Sequence, residues 1–264
     1  MKKYLVIGNP INHSLSPKLH NYWIKQNHIH AIYEKKKMEK SELENLVLKI
    51  KQESIGGVNI TVPFKNAIIP HLDELSDEAK KTQAVNTIYL KNKKVIGHNT
   101  DIIGFETAIK KINFNFNNKK IFILGAGGVV PSIIYASMKM GSSEIIISNR
   151  TKSRAEKLKE IFYNIQTINW GDIPDFDVII NATSLGLKED DKINLDFTNI
   201  GKNKLFYDVI YNPQETNFLS IGKKLGNISE NGKLMFIYQA FSAFKLWHDV
   251  EPTINNEIIK LLDQ

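Results

Sequence analysis

Short apolar runs alternate along the chain with stretches in which apolar residues recur at helical spacing. Runs such as Ile121-Phe122-Ile123-Leu124, Glu144-Ile145-Ile146-Ile147-Ser148 and Asp177-Val178-Ile179-Ile180 have the length and continuity of strands buried on both faces of a parallel sheet. The pattern predicts strands over 3–8, 31–33, 56–60, 87–90, 121–124, 144–148, 177–180 and 205–209, with 87–90 hairpinning through Asn92 to 95–97. Helices are predicted from Ser16 to about Gln26, Ser41 to Glu53, Asp101 to about Lys111, from Val129 onward, from Arg150 to about Tyr163, then over 216–225, 234–247 and 255–262. Ser16 before Pro17 reads as an N-cap, and Ser41 with Glu44 has capping-box spacing. Strands alternating with helices define an α/β protein. The Asn-rich stretch 113–120 is the expected domain connection, and no internal repeat is seen.

Composition narrows this picture. A length of 264 residues suffices for one large or two ordinary domains. With 42% hydrophobic and 24% charged residues, the chain reads as soluble and globular rather than disordered. The net charge of +7 comes from scattered lysines, with no basic run interleaved with aromatics, so no nucleic-acid partner is expected. No Cys is present, which excludes disulfides and Cys-ligated zinc; the seven histidines show no ligand spacing beyond His28-Ile29-His30, so no metal is expected. Residues 121–138 carry no charge and would satisfy a membrane-helix window, but Gly125, Gly127, Gly128 and Pro131 break them into strand, turn and helix. Gly8-Asn9-Pro10 interrupts the N-terminal apolar run too early for a signal peptide. A cytoplasmic protein with no membrane partner is the resulting expectation.

The turn Gly125-Ala126-Gly127-Gly128, between a strand and the helix starting near Val129, suits a dinucleotide pyrophosphate: glycines admit close backbone approach and the helix start aims N–H groups at the anion. Val130 stands where the strict fingerprint has Gly or Ala, which sets helix and strand slightly further apart. The next strand ends in Asn149-Arg150-Thr151. An acid there would accept from a free ribose 2′-hydroxyl; Arg150, backed by Thr151 and Arg154, instead offers charge to a 2′-phosphate and favours NADP over NAD.

Polar residues also gather at element ends in the first hundred positions. Ser14 and Ser16 flank a helix start, a place suited to a carboxylate or phosphate. Asn59, Thr61 and Lys65 follow one strand, Asn86 precedes another, and Asp101 opens a helix that it could equally cap. Lys65 alone reads as a surface lysine; with Asn86 and Asp101 it resembles a site.

The motifs G-N-P-I-N-H-S-L-S-P at 8–17, N-I-T-V-P-F-K at 59–65, A-V-N-T at 84–87, N-T-D-I-I-G at 99–104, G-A-G-G at 125–128, N-R-T at 149–151, N-A-T-S-L-G at 181–186, D-V-I-Y-N-P at 208–213 and N-G-K-L-M-F-I-Y-Q-A at 231–240 closely resemble those of the shikimate dehydrogenase family, in family order. The resemblance implies NADPH-dependent reversible reduction of 3-dehydroshikimate to shikimate, in aromatic amino-acid biosynthesis. It implies two domains joined by two helices with the active site in a cleft between them: a substrate domain of residues 1–101 plus 235–264, and a Rossmann-type parallel-sheet NADP domain of 102–234. By the same likeness Ser14 and Ser16, helped by Tyr211, hold the carboxylate; Asn59, Thr61, Asn86 and Gln239 bond the ring hydroxyls; and Lys65 with Asp101 sits at the oxygen that changes oxidation state. Cofactor contacts are implied at Gly125, Ala126, Gly127, Gly128, Val129, Asn149, Arg150, Thr151, Arg154, Thr183, Val209 and Gly232. Gln83 departs from the glycine common before Ala-Val-Asn-Thr, and Val130-Pro131 from small or basic residues. The rival readings are a dual-specificity quinate/shikimate dehydrogenase and a non-catalytic NADP-binding regulator, which would not need Lys65 with Asp101. A monomer or homodimer is expected.

Overall fold

The computed structural model describes residues 1–188 and 190–263; Gln264, which closes the expected second segment of the substrate domain, lies outside them. The chain divides into two compact units, Met1–Gly104 with Ile237–Gln264, and Phe105–Phe236.

The first unit begins with β1 (Lys2–Gly8), α1 (Ser16–Gln26), β2 (Ala31–Lys37), α2 (Leu43–Lys51), β3 (Gly57–Ile60), β4 (Glu74–Leu75), α3 (Asp77–Thr82), β5 (Thr87–Lys91), β6 (Lys94–His98) and the start of α4 (Asp101–Lys111). Its six-stranded sheet has the order β2-β1-β3-β5-β6-β4. β1 is parallel to β2 and β3, whereas β5 is antiparallel to β3 and β6. The sheet is therefore mixed, and the hairpin β5–β6 carries Asn86 and Asp101 at its two open ends.

The second unit contains β7 (Lys120–Leu124), α5 (Val130–Lys139), β8 (Glu144–Ser148), α6 (Lys152–Leu158), β9 (Gln166–Ile168), β10 (Val178–Asn181), β11 (Leu205–Asp208), α7 (Asn217–Lys224) and β12 (Ile228–Glu230). All its strands pair in parallel, in the order β12-β11-β10-β7-β8-β9. The chain winds outward from β7 through β8 to β9, then restarts on β7's other side at β10. That reversal is the doubly wound topology, with its switch point at the carboxyl ends of β7 and β10. Phe122, Phe176, Phe206 and Phe218 pack one face of this sheet.

The chain ends in α8 (Lys233–His248) and α9 (Asn256–Leu262). Trp247 of α8 lies on the first sheet, donating from Nε1 to the Ile88 carbonyl at 3.0 Å. Gly57 makes room for it: a Cβ there would stand 2.2 Å from Trp247 Nε1. Tyr4, Trp23, Tyr33 and Phe244 complete this aromatic face, and the opposite face buries Leu5, Ile7, Leu46, Ile50 and Val58. Among the described residues no helix is long and apolar enough to cross a membrane; the uncharged stretch 121–138 is divided between β7, the glycine turn and α5.

Several local expectations change. The strand expected over 31–33 continues to Lys37, because Glu34 to Lys37 keep register with β1 as a polar edge strand. Before α2 stands a 3-10 turn, Lys40–Glu42, and the capping box is made by Glu39 and Glu42 rather than Ser41 and Glu44. Ser16 is not an N-cap: Ser14 Oγ accepts from the Ser16 N–H at 3.3 Å, which draws Ser16 into the helix's first turn. The helix after Arg150 stops at Leu158, where the N–H groups of Lys159, Glu160 and Ile161 bond three residues back instead of four.

Candidate active site

In the first unit the polar element ends converge. Lys65 follows β3 by a turn closed by the Phe64 N–H on the Thr61 carbonyl at 2.9 Å, and the Lys65 carbonyl accepts from Val85 N–H at 2.8 Å. That second bond locks the lysine's backbone to the segment leading into Asn86. Lys65 Nζ meets Asp101 Oδ2 at 2.5 Å, with the two residues only 8% and 6% exposed. Asn86 holds Asp101 in place, donating from Nδ2 to Oδ1 at 2.9 Å, while its own Oδ1 accepts from the Thr100 N–H at 2.7 Å. Asp101 thus spends its two oxygens on Lys65 and Asn86, and its own N–H is taken by Asn99 Oδ1 at 3.1 Å.

Asn59 adjoins this cluster. Its Nδ2 donates to the Asn86 carbonyl at 3.1 Å and to Thr87 Oγ1 at 3.0 Å, and its Oδ1 accepts from Tyr33 O–H at 2.7 Å. Gln239, on α8, accepts from Asn86 Nδ2 through Oε1 at 3.4 Å. Ser14 Oγ donates to Ser16 Oγ at 3.2 Å, and Ser16 lies near the Tyr33 phenol. Hydroxyls and amides therefore run from Ser14 through Ser16, Tyr33, Asn59 and Asn86 to Asp101 and Lys65. Thr61 stands beside Gly8, where a Cβ would come within 2.5 Å of Thr61 Cγ2. The sequence pattern does not mark Tyr33 as a site residue. It is buried, stacked on His20 at 4.2 Å, and burial holds its phenol well above the ordinary range. It lies 26 residues from Asn59, so only the pairing of β1 with β2 and β3 shows the contact.

In the second unit the residues expected to meet a cofactor lie at the carboxyl edge of the parallel sheet. Gly125 has φ +111°, and a Cβ there would stand 2.8 Å from the Ala182 carbonyl oxygen; both facts demand glycine. At Gly127 the nearest atom to an added Cβ is 3.9 Å away, which leaves the backbone open to an approaching ligand. Val129 occupies the N-cap position of α5, with no side-chain cap on the first N–H groups and Pro131 in the first turn. The Val130 and Ser132 N–H groups bond the Gly127 and Val129 carbonyls and Pro131 has none, so the N–H groups of the turn itself, from Ala126 to Val129, are the ones suited to a pyrophosphate. Arg150, Thr151 and Arg154 are exposed just beyond β8, and Asn149 Nδ2 donates to the Thr151 carbonyl at 2.7 Å, shaping that turn. Thr183 follows β10 against Gly125, its Cγ2 being 3.1 Å from a Cβ built there. Val209 and Gly232 meet so closely that a Cβ on Gly232 would fall 2.2 Å from the Val209 carbonyl oxygen. Tyr211 belongs to this unit and stacks on Phe236 at 4.5 Å.

A doubly wound sheet with an uncapped helix start at its switch point, and basic rather than acidic residues after its second strand, defines a Rossmann-type NADP-dependent oxidoreductase. The mixed-sheet unit adds a buried lysine–carboxylate pair. Residues 6–88 match the family model described as shikimate dehydrogenase substrate binding domain, and residues 106–194 match that described as shikimate / quinate 5-dehydrogenase. The NADP(+) shikimate dehydrogenase of Pelagibacter ubique is 58% identical over 262 residues, covering 99% of each chain. Among solved structures, shikimate dehydrogenase from Aquifex aeolicus superposes with a TM-score of 0.90 at 36% identity, over 99% of this chain and 97% of the other. Shikimate 5-dehydrogenase from Thermus thermophilus, solved with NADP(H) and shikimate, gives 0.88 at 29% identity, over 100% of this chain and 98% of the other. The chain belongs to the shikimate dehydrogenase family.

Proposed function

We propose that this chain catalyses the NADPH-dependent, reversible reduction of 3-dehydroshikimate to shikimate, as a cytoplasmic enzyme acting on small molecules alone. The observation that carries the reading is the Lys65–Asp101 pair, 2.5 Å apart and withdrawn from solvent. Bound NADPH supplies the hydride. Reducing a ketone leaves charge on its oxygen, and that oxygen needs a proton donor at hydrogen-bonding distance. Lys65 Nζ carries three N–H groups, of which one is directed at Asp101; the others are available to a substrate oxygen and to proton transfer. Asp101 keeps Lys65 Nζ aimed, and Asn86 keeps Asp101 from rotating.

Residues of the first unit would hold the substrate. Ser14 and Ser16 are short donors suited to its carboxylate. Thr61 and Gln239 would meet its hydroxyls, and Asn86 would join them by exchanging its amide bond to Thr100 for one to the substrate. Both amide hydrogens of Asn59 are spent on Asn86 and Thr87, so Asn59 can only accept, through the remaining lone pair of Oδ1. The second unit would hold NADP(H), with its pyrophosphate at Gly125 to Val129, its 2′-phosphate at Asn149, Arg150, Thr151 and Arg154, and its nicotinamide half toward Thr183, Val209 and Gly232.

The test is purified protein with shikimate and either NADP or NAD, followed at the reduced-nicotinamide absorbance. Turnover preferring NADP supports the reading. No turnover with either cofactor would remove it.

A further inference from the structure

Asp208, at the end of β11, is fully buried, and the bonds it accepts come from uncharged donors. Its Oδ1 accepts from Asn181 Nδ2 and from the Ile210 N–H, each at 3.0 Å, and its Oδ2 from Thr216 Oγ1 at 2.6 Å. Burial pushes its carboxyl up to about 6. A carboxylate in such a place is costly unless it organises something.

What it organises is a set of turns. Asn181, also fully buried, ends β10 and carries the next turn on its side chain: Oδ1 accepts from Thr183 Oγ1 at 2.7 Å and from Thr183 N–H at 3.0 Å, and Nδ2 also donates to the Leu185 carbonyl at 3.0 Å. Thr216 caps α7. The Ile210 carbonyl accepts from the Gly232 N–H at 3.1 Å, so the segment tied by Asp208 also sets the turn entering α8. One carboxylate thereby joins the turns holding Thr183, Val209 and Gly232.

In a doubly wound sheet the first half, here β7 to β9, takes the pyrophosphate and adenosine ribose, and the second half takes the other mononucleotide. We infer that Asp208 is a positioning residue that shapes the nicotinamide half of the cofactor site by holding the three turns around it. This rests on the reading that the second unit binds NADP(H). An acceptor-only group suits this place, since three donors converge on it. An amide could keep its oxygen toward Asn181 and Ile210, but it would then set its own N–H against the Thr216 hydroxyl, which must turn and lose the acceptor for its hydrogen, and the remaining bonds would no longer be charge-assisted.

The experiment compares dissociation constants of NADPH and of adenosine 2′,5′-bisphosphate, which has the 2′-phosphate and adenosine but no nicotinamide. In Asp208→Asn, NADPH binding should weaken about tenfold or more, the loss of one buried charge-assisted bond, while the bisphosphate stays within about twofold. Thr216→Val removes one donor and keeps the carboxylate; it should show the same split in smaller measure, and it serves if Asp208→Asn fails to fold. Equal loss for both ligands, or no loss for either, overturns the inference. A wild-type protein that binds neither ligand would instead overturn the cofactor reading itself.

Discussion

The Lys65–Asp101 pair makes a stability prediction that can be worked through. Replacing Lys65 by Met keeps the side chain's bulk but strands the Asp101 carboxylate, which is 6% exposed and retains only Asn86 among the two partners described above. Breaking a buried pair from one side costs about 3–5 kcal/mol. Asp101→Asn strands the Lys65 ammonium and belongs to the same range. The double variant, Lys65→Met with Asp101→Asn, buries no charge. It should cost little more than one single variant, and less if repacking is good, giving a coupling of about 3 kcal/mol, near the upper end of measured values. The assay is denaturant unfolding followed by tryptophan emission. The chain has three tryptophans; Trp23 and Trp247 lie in the first unit and Trp170 in the second. A Trp170→Phe background therefore confines the signal to the unit that holds the pair. Additivity within about 0.5 kcal/mol would show that the two groups do not act as a pair, and the account of the site would fail.

Arg150→Ala should weaken NADP by about 1.5–3 kcal/mol and leave NAD nearly unchanged in binding titrations, since the contact proposed for it is to the 2′-phosphate alone; equal losses would place Arg150 elsewhere. Ser14→Ala and Ser16→Ala should raise KM for shikimate more than they lower kcat, because carboxylate anchoring is remote from hydride transfer. Quinate, with an extra hydroxyl beside that carboxylate, should be disfavoured about tenfold or more in kcat/KM, and comparable values would move the assignment to dual specificity. Stability should also fall as pH drops below about 6.5, for a reason visible in the aromatic face. Burial lowers His20 from 6.5 to about 3 and His248 to about 4, so between these values the unfolded chain binds protons that the folded chain refuses. Asp208 has the opposite sign: raised to about 6, it binds a proton in the folded state first and adds stability as pH falls from there toward 3.8. Two histidines outweigh one carboxyl, and His20→Phe should remove about one proton's worth of slope, up to about 1.4 kcal/mol per pH unit; an unchanged slope would contradict the burial argument.

The α/β class and the motif-bearing turns could be read from the chain because both are local. Continuous apolar runs mark buried strands, and Gly125 needs its positive φ whatever surrounds it. Short pairings and long-range bonds could not be read. β4, β9 and β12 are two or three residues long and owe their existence to a neighbouring strand. Glu34 to Lys37 look like loop until β1 supplies the register. Tyr33 passes for an ordinary apolar strand residue, yet its hydroxyl fixes the Asn59 amide. Asp208 is one residue in the motif D-V-I-Y-N-P; its bonds to Asn181, 27 residues earlier, and to Thr216 follow only from the order of β10, β11 and α7.

The proposed function makes Lys65 the group that supplies and withdraws the proton accompanying hydride transfer. Steady-state oxidation of shikimate with NADP by wild type and by Lys65→Ala, with NADP affinity measured on both proteins, tests this role. The variant should lose about 10²-fold or more in kcat at unchanged NADP affinity. A variant turning over within a few-fold of wild type would contradict it.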